Sequence, residues 1–297
     1  MRIPSMSASR IKTWRQCRFK YYMNYVLKLD MGTNWGAQHG TAIHHVLERY
    51  ANGERDWRKL LLKAYQEIDL RRNTYILQHA KAVDYDKVKK KCSTCPHNNN
   101  GVCLLEQKSA IDLPGCGRLL YGRSERLLEN YFDQYDDIYD KEQIGVEYEF
   151  KLNLGDHRNT LGFMDYIYRT TDGMIHMIDY KSSKKYEATQ NHDAVKKDIQ
   201  AKMYAWALNE LYPGETTMLT FHYFMNRPIT VFYNSAEIES IRQELIETWD
   251  QIEKFEEQNL TRLIDTHGGK WAPNECKYLC DQELCRNEWG KFKNGQY

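Results

Sequence analysis

With 297 residues, the chain is long enough to bury a substantial core as one elaborated domain or two modest ones. Its 42 Lys and Arg against 41 Asp and Glu leave a formal net charge of +1, which excludes nucleic-acid binding by bulk basicity and leaves only local clustering. A hydrophobic content of 41%, 13% aromatics and 6 prolines exclude a disordered chain, and no apolar run approaches the roughly 20 residues of a membrane span.

In chain order, Ser7 and Ser9 each suit a helix cap. The helix that follows turns Ile11 and Trp14 to one face, continues through Cys17 into Phe19, Tyr22 and Tyr25, and carries Arg10, Arg15, Arg18 and Lys20 on the other. A second helix is expected from about Gly36 to Tyr50, with His44 and Glu48 on one side, and residues 56–82 continue helically. Residues 87–118 break the pattern as an inserted cysteine-rich knuckle with a basic run, Lys87, Lys89, Lys90 and Lys91. Helix resumes through about Asp136. Alternation at Ile144, Val146, Tyr148, Phe150 and Leu152 then predicts a half-buried strand, followed by strands at 161–168 and 175–180 around a Thr171-Asp172-Gly173 turn. Residues 193–211 are predicted helical, 218–225 and 229–233 as strands, and Ser235 caps a helix to about Glu257. Residues 268–297 form an irregular tail. The order implies an α/β fold with a helical N-terminal region.

Two strand segments carry chemistry: Gly162-Phe163-Met164-Asp165 and Ile178-Asp179-Tyr180-Lys181. Asp179 and Lys181, two apart, share one face, with Ile178 and Tyr180 on the other. Neighbouring strands sit about 4.8 Å apart, so Asp165 converges with Asp179 on a common cation if the strands pair in register. A hard divalent ion held there polarises a phosphodiester and lowers the pKa of bound water, while Lys181 positions that water or stabilises developing charge. Taken alone, D-x-K on a strand equally describes a solvated ion pair.

The wider sequence resembles the PD-(D/E)xK nucleases found in bacterial helicase-nuclease recombination complexes and among the iron-sulfur nucleases of CRISPR spacer acquisition. The matching pieces run in order: S-A-S-R-I-x-x-W-x-x-C (Ser7–Cys17), G-T-A-I-H-H-V-L-E (Gly40–Glu48), G-F-M-D (Gly162–Asp165), I-D-Y-K-S (Ile178–Ser182) and Q-A-K-M-Y (Gln200–Tyr204). The resemblance implies a single nuclease domain over 1–297, with a central mixed sheet flanked by helices. It implies Mg²⁺ or Mn²⁺ held by His44, Asp165, Asp179 and the Tyr180 carbonyl, Lys181 as the catalytic lysine, and Gln200 and Tyr204 orienting the lysine or contacting the scissile strand. His45 competes with His44, and only the family pattern separates them. Glu147 and Glu149 share a strand face from which either could approach the metal, or form a solvated edge.

An intracellular, cytoplasmic chain keeps its eight cysteines reduced, which directs them to metals or clusters. Cys17 with Cys276, Cys280 and Cys285 can hold a structural [4Fe-4S] cluster joining the two ends of the chain, as the resembled family does, although the gaps of three and four residues differ from its usual C-x-x-C. Cys92, Cys95, Cys103 and Cys116, with His97 as a substitute, suit a structural Zn²⁺ site or a second cluster.

The function expected is a metal-dependent DNA nuclease, an exonuclease on single-stranded or end-bearing DNA, in recombination, repair, or spacer or phage DNA processing. No G-x-x-x-x-G-K-[ST] motif occurs, so no nucleotide cofactor is expected and unwinding would need a helicase partner. Trp14, Tyr21 and Tyr22 beside Lys20 suit either base stacking or a core helix. The alternatives are a non-catalytic DNA-binding adaptor partnered with a helicase or integrase, which the joint presence of Asp165, Asp179 and Lys181 opposes, and an iron-sulfur redox protein, which leaves those carboxylates unexplained.

Overall fold

A computed structural model describes residues 4–29, 35–67, 98–99, 102–103, 115–182 and 191–257. A five-stranded mixed sheet, in the order β3-β4-β5-β6-β7, lies between two helical layers. Its strands are β3 (Glu142–Asn153), β4 (Asn159–Arg169), β5 (Ile175–Lys181), β6 (Thr217–Tyr223) and β7 (Pro228–Val231). The first three form the expected antiparallel meander. β5 and β6 are parallel, which requires a crossover, and α6 (His192–Lys197) and α7 (Ile199–Leu211) supply it. A separate two-stranded ribbon pairs β1 (Asn98–Asn99) with β2 (Val102–Cys103).

One face of the sheet is covered by α1 (Ala8–Gln16), α7 and α8 (Ser235–Glu257), with Trp14, Met177, Trp206, Phe221 and Trp249 buried between. The other is covered by α3 (Trp35–Ala51), α4 (Trp57–Glu67) and α5 (Gly115–Tyr135), through Ile43, Leu61, Leu128, Tyr131, Tyr166, Ile178 and Tyr180. Covered on both sides, β5 is buried nearly throughout, as a central strand of an α/β sheet should be.

Several boundaries differ from expectation for local reasons. The first helix stops at Cys17, whose extended backbone (φ −158°, ψ 113°) separates α1 from α2 (Arg18–Tyr21). The Cys17 sulfur caps α2 by accepting from the Lys20 amide, and a π-helical turn (Tyr22–Val26) follows. Arg10, expected on a solvent face, is buried and donates to the Tyr21 hydroxyl and the Ser5 carbonyl. Trp14, Tyr21 and Tyr22 are likewise buried, so these rings are core and not a surface for bases. The stretch expected as one helix over 193–211 is broken at Asp198, whose carboxylate caps α7 through the Gln200 amide at 2.8 Å. The last helix is capped by Asn234 and not by Ser235: Asn234 and Glu237 exchange side chain-to-amide hydrogen bonds of 2.9 Å, a reciprocal capping box.

α5 begins at Gly115, directly after Pro114, so Cys116 lies in its first turn and not in an irregular knuckle. Cys92, Cys95, His97, Cys276, Cys280 and Cys285 lie outside the described residues, as do Lys87–Lys91 and the tail from residue 258. Of Cys103 and Cys116 the backbone alone is described. No helix among the described residues is long and apolar enough to cross a membrane.

Candidate active site

β4 and β5 pair from Arg169↔Ile175 to Tyr166↔Ile178 and then part. Continuing the register would set Asp165 opposite Asp179, so the two aspartates flank the point of separation. The ladder bond missing there is replaced by a side chain: the Tyr180 amide donates to Asp165 Oδ2 at 2.6 Å. Beyond the split, Met6 takes the place of β5 beside the start of β4, bridging to Thr160.

The strand faces also change here. Met164 packs under α7 while Tyr166 packs under α3 and α5, although residues two apart on a regular strand share a face. On β3 the paired Tyr148 and Val146 divide in the same way. Between them Glu147 adopts a left-handed conformation (φ 45°), which costs on the order of 1–2 kcal/mol for a residue with a Cβ. Glu147 and Asp165 thus sit where both strands exchange faces.

His44 arrives from α3. Gly40, one turn earlier, lets the helix close on the end of β5, since a Cβ there would stand 2.8 Å from Ser182 Oγ. His44 Nε2 lies 2.9 Å from the Tyr180 carbonyl, and Nδ1 lies 3.5 Å from Asp165 and 3.8 Å from Glu147. Potential ligand atoms of His44, Glu147 and Asp165 all fall within 4.8 Å of one another. Burial opposes a charged imidazole, but Asp165, Glu147 and Asp179 outweigh it and lift the His44 pKa to about 10. The carboxylates therefore favour a positive charge in their midst, which the His44 imidazolium supplies.

Asp179 lies on the α7 side, in line with Ile175 and Met177, and Lys181 shares its face as the two-residue spacing predicts. Asp179 is only 2% exposed, and burial pushes its pKa up to about 6 against the pull of Lys181. Its Oδ2 is ion-paired with Lys181 and has no further hydrogen-bond partner. Burial also works against the Lys181 charge, yet Asp179 and Asp165 hold its pKa above the usual lysine value. These carboxylates favour the charged form of Lys181.

Gln200 organises this half of the site. Its Oε1 accepts from Lys181 at 3.1 Å and from Lys12 at 3.3 Å, while its Nε2 donates to Asp179 Oδ1 at 3.0 Å and to the Tyr204 hydroxyl at 2.9 Å. Tyr204, one turn on, donates to the Phe163 carbonyl at 2.7 Å. Both amide hydrogens and both lone pairs of Gln200 are thus used, and a flipped amide would set donors against two ammonium groups. Lys12, also 2.8 Å from Asp198, escaped sequence reasoning because nothing distinguishes it from the other cations of α1.

The structure brings together His44, Glu147, Asp165, Asp179, Lys181, Gln200 and Tyr204, with the Tyr180 carbonyl bonded to His44. His44 and not His45 faces the carboxylates, while Glu149 is ion-paired with Lys151. Carboxylates from two neighbouring strands, Glu147 and Asp165, and the His44 imidazole make a donor set that fits a hard or borderline divalent ion; Asp179, held by Lys181 and Gln200, stands outside that group of three.

The solved structures similar to the chain include the following two. A candidate exonuclease from Eubacterium rectale shares 13% identity over 96% of this chain and 88% of its own, with a TM-score of 0.46. SSO0001 shares 17% identity over 44% of this chain and 63% of its own, with a TM-score of 0.24. Comparison with curated proteins finds no match. The family model of the PD-(D/E)XK nuclease superfamily matches residues 5–286, and the chain belongs to that superfamily.

Proposed function

We propose that this nuclease hydrolyses DNA, as an exonuclease on single-stranded or end-bearing substrates, with Mg²⁺ or Mn²⁺ as its metal. The observation that carries the proposal is the position of Asp165 and Asp179 on either side of the split between β4 and β5, with Asp165 beside His44 and Glu147 and with Lys181 paired to Asp179. Asp165, Asp179, His44 and the Tyr180 carbonyl would hold the metal, with Glu147 alongside. When bound, such an ion polarises the phosphodiester and lowers the pKa of water. The chain itself supplies a charged Lys181 to stabilise the negative charge that grows on the phosphate oxygens. Gln200 holds Lys181 and Asp179 in one geometry, and Tyr204 ties that network to the β4 backbone through Phe163.

The test is cleavage of end-labelled single-stranded and duplex DNA with Mg²⁺ or Mn²⁺, by wild type and Asp179→Ala. Metal-dependent cleavage by wild type alone is expected. Cleavage that survives the substitution would refute the site, and binding without cleavage would establish the adaptor alternative.

The same proposal extends to the cysteines. Cys17 and Phe255 border one small cluster around Phe19, Tyr22 and Met23, so α8 ends near Cys17. We propose a structural [4Fe-4S] cluster of Cys17, Cys276, Cys280 and Cys285 closing a single domain, and Zn²⁺ or a second cluster at Cys92, Cys95, Cys103 and Cys116. Iron and zinc analysis with a visible absorption spectrum of anaerobic protein tests both, and a colourless, iron-free preparation would refute the cluster.

A further inference from the structure

Among the described residues two large apolar side chains stand about half exposed, Phe163 at 47% and Phe232 at 48%. Phe163 is the one beside the site. It lies two residues before Asp165, about 7 Å along β4. Its neighbour Met164 is buried under α7, so Phe163 turns to the opposite face of the sheet, the face on which α3 presents His44.

Its backbone is fixed from both sides. The Phe163 carbonyl accepts from Tyr204, and Gly162 lies beneath the Phe150 ring so closely that a Cβ would be 2.4 Å from it. Across the hairpin Phe163 faces Glu149, whose charge is matched by Lys151. A fixed backbone therefore carries an uncharged, half-exposed ring on the rim of an acidic site. A phosphate finds no partner on it, whereas a nucleobase does.

We propose that Phe163 is a stacking platform for an unpaired nucleobase of the nucleotide next to the scissile phosphate, which selects single strands and frayed ends over intact duplex. This rests on the assignment as a DNA nuclease. Within a duplex both faces of each base are already stacked, so the Phe163 ring can be covered only by a base that has left the helix. Because the backbone is fixed in β4 before binding, only the two side-chain torsions of Phe163 lose freedom on contact.

The experiment measures oligonucleotide affinity by fluorescence anisotropy in an Asp179→Asn background, for Phe163, Phe163→Ala, Phe163→Leu and Phe163→Trp. Alanine and leucine should weaken single-strand binding by about 5- to 150-fold, the range for one base-aromatic stack, and tryptophan should restore it. Duplex affinity should not change. A single abasic nucleotide at the stacking position should erase the difference between Phe163 and Phe163→Ala. Equal single-strand affinities, equal losses for single strand and duplex, or a difference that persists with the abasic strand would each overturn the platform. Wild-type cleavage with Mn²⁺ is measured in parallel: if it is absent, the nuclease assignment fails, while the anisotropy comparison still decides whether Phe163 stacks on bases.

Discussion

Asp165 has two roles that a pair of substitutions can separate. One is electrostatic, as a carboxylate beside His44; the other is architectural, since Oδ2 accepts the Tyr180 amide where the β4–β5 ladder ends. Tyr180 is 3% exposed, so Asp165→Ala leaves its N–H buried without a partner, a loss of about 1–3 kcal/mol. At about 2–4 °C per kcal/mol for a chain of this size, the melting temperature should fall by about 6 °C. Asp165→Asn keeps an acceptor for Tyr180 and offers its amide to a neutral His44 Nδ1, so it should melt within about 2 °C of wild type. Both variants should lose metal-dependent cleavage. Differential scanning calorimetry in EDTA excludes any stabilisation by bound metal. If alanine and asparagine variants melt together, Asp165 is not the strut that closes the split.

Lys12→Met should lower kcat about three- to tenfold with KM and melting temperature little changed, because it frees one side of the Gln200 amide while the exposed pair with Asp198 contributes little to stability; a wild-type kcat would remove Lys12 from the site. Acid should destabilise the fold between about pH 6.5 and pH 4. Burial lowers His39, His176 and His222 to about 4, so below pH 6.5 the unfolded chain binds three protons that the fold refuses. Asp179, pushed up to about 6, binds one in the fold and offsets one of the three. The net two protons correspond to ~2.7 kcal/mol per pH unit near pH 5, lost as pH falls. Urea midpoints across that range should show the slope, and His222→Phe should roughly halve it; a flat profile would contradict the burial of these imidazoles.

The meander and the shared face of Asp179 and Lys181 were legible because both follow from the two-residue period of a strand. His44 was legible through Gly40, although its physical reason, the approach of α3 to Ser182, appears only in three dimensions. The face exchange at Glu147 left no mark, because glutamate is not a residue that announces a left-handed backbone. The break at Asp198 was hidden by helix-compatible residues on both sides, and the cap that causes it also sets Gln200 at the start of α7. The aromatic residues near Lys20 suited base stacking or a core helix and are core, while the half-exposed ring near the carboxylates is Phe163, which alternation alone does not distinguish.

The most direct measurement is anomalous diffraction from crystals soaked in Mn²⁺. One peak about 2 Å from carboxylate oxygens of both Asp165 and Asp179, at the split between β4 and β5, is the predicted result. Peaks found only elsewhere, with Asp179 still paired to Lys181 and His44 still seated between Asp165 and Glu147, would contradict a metal-dependent nuclease centre at this position.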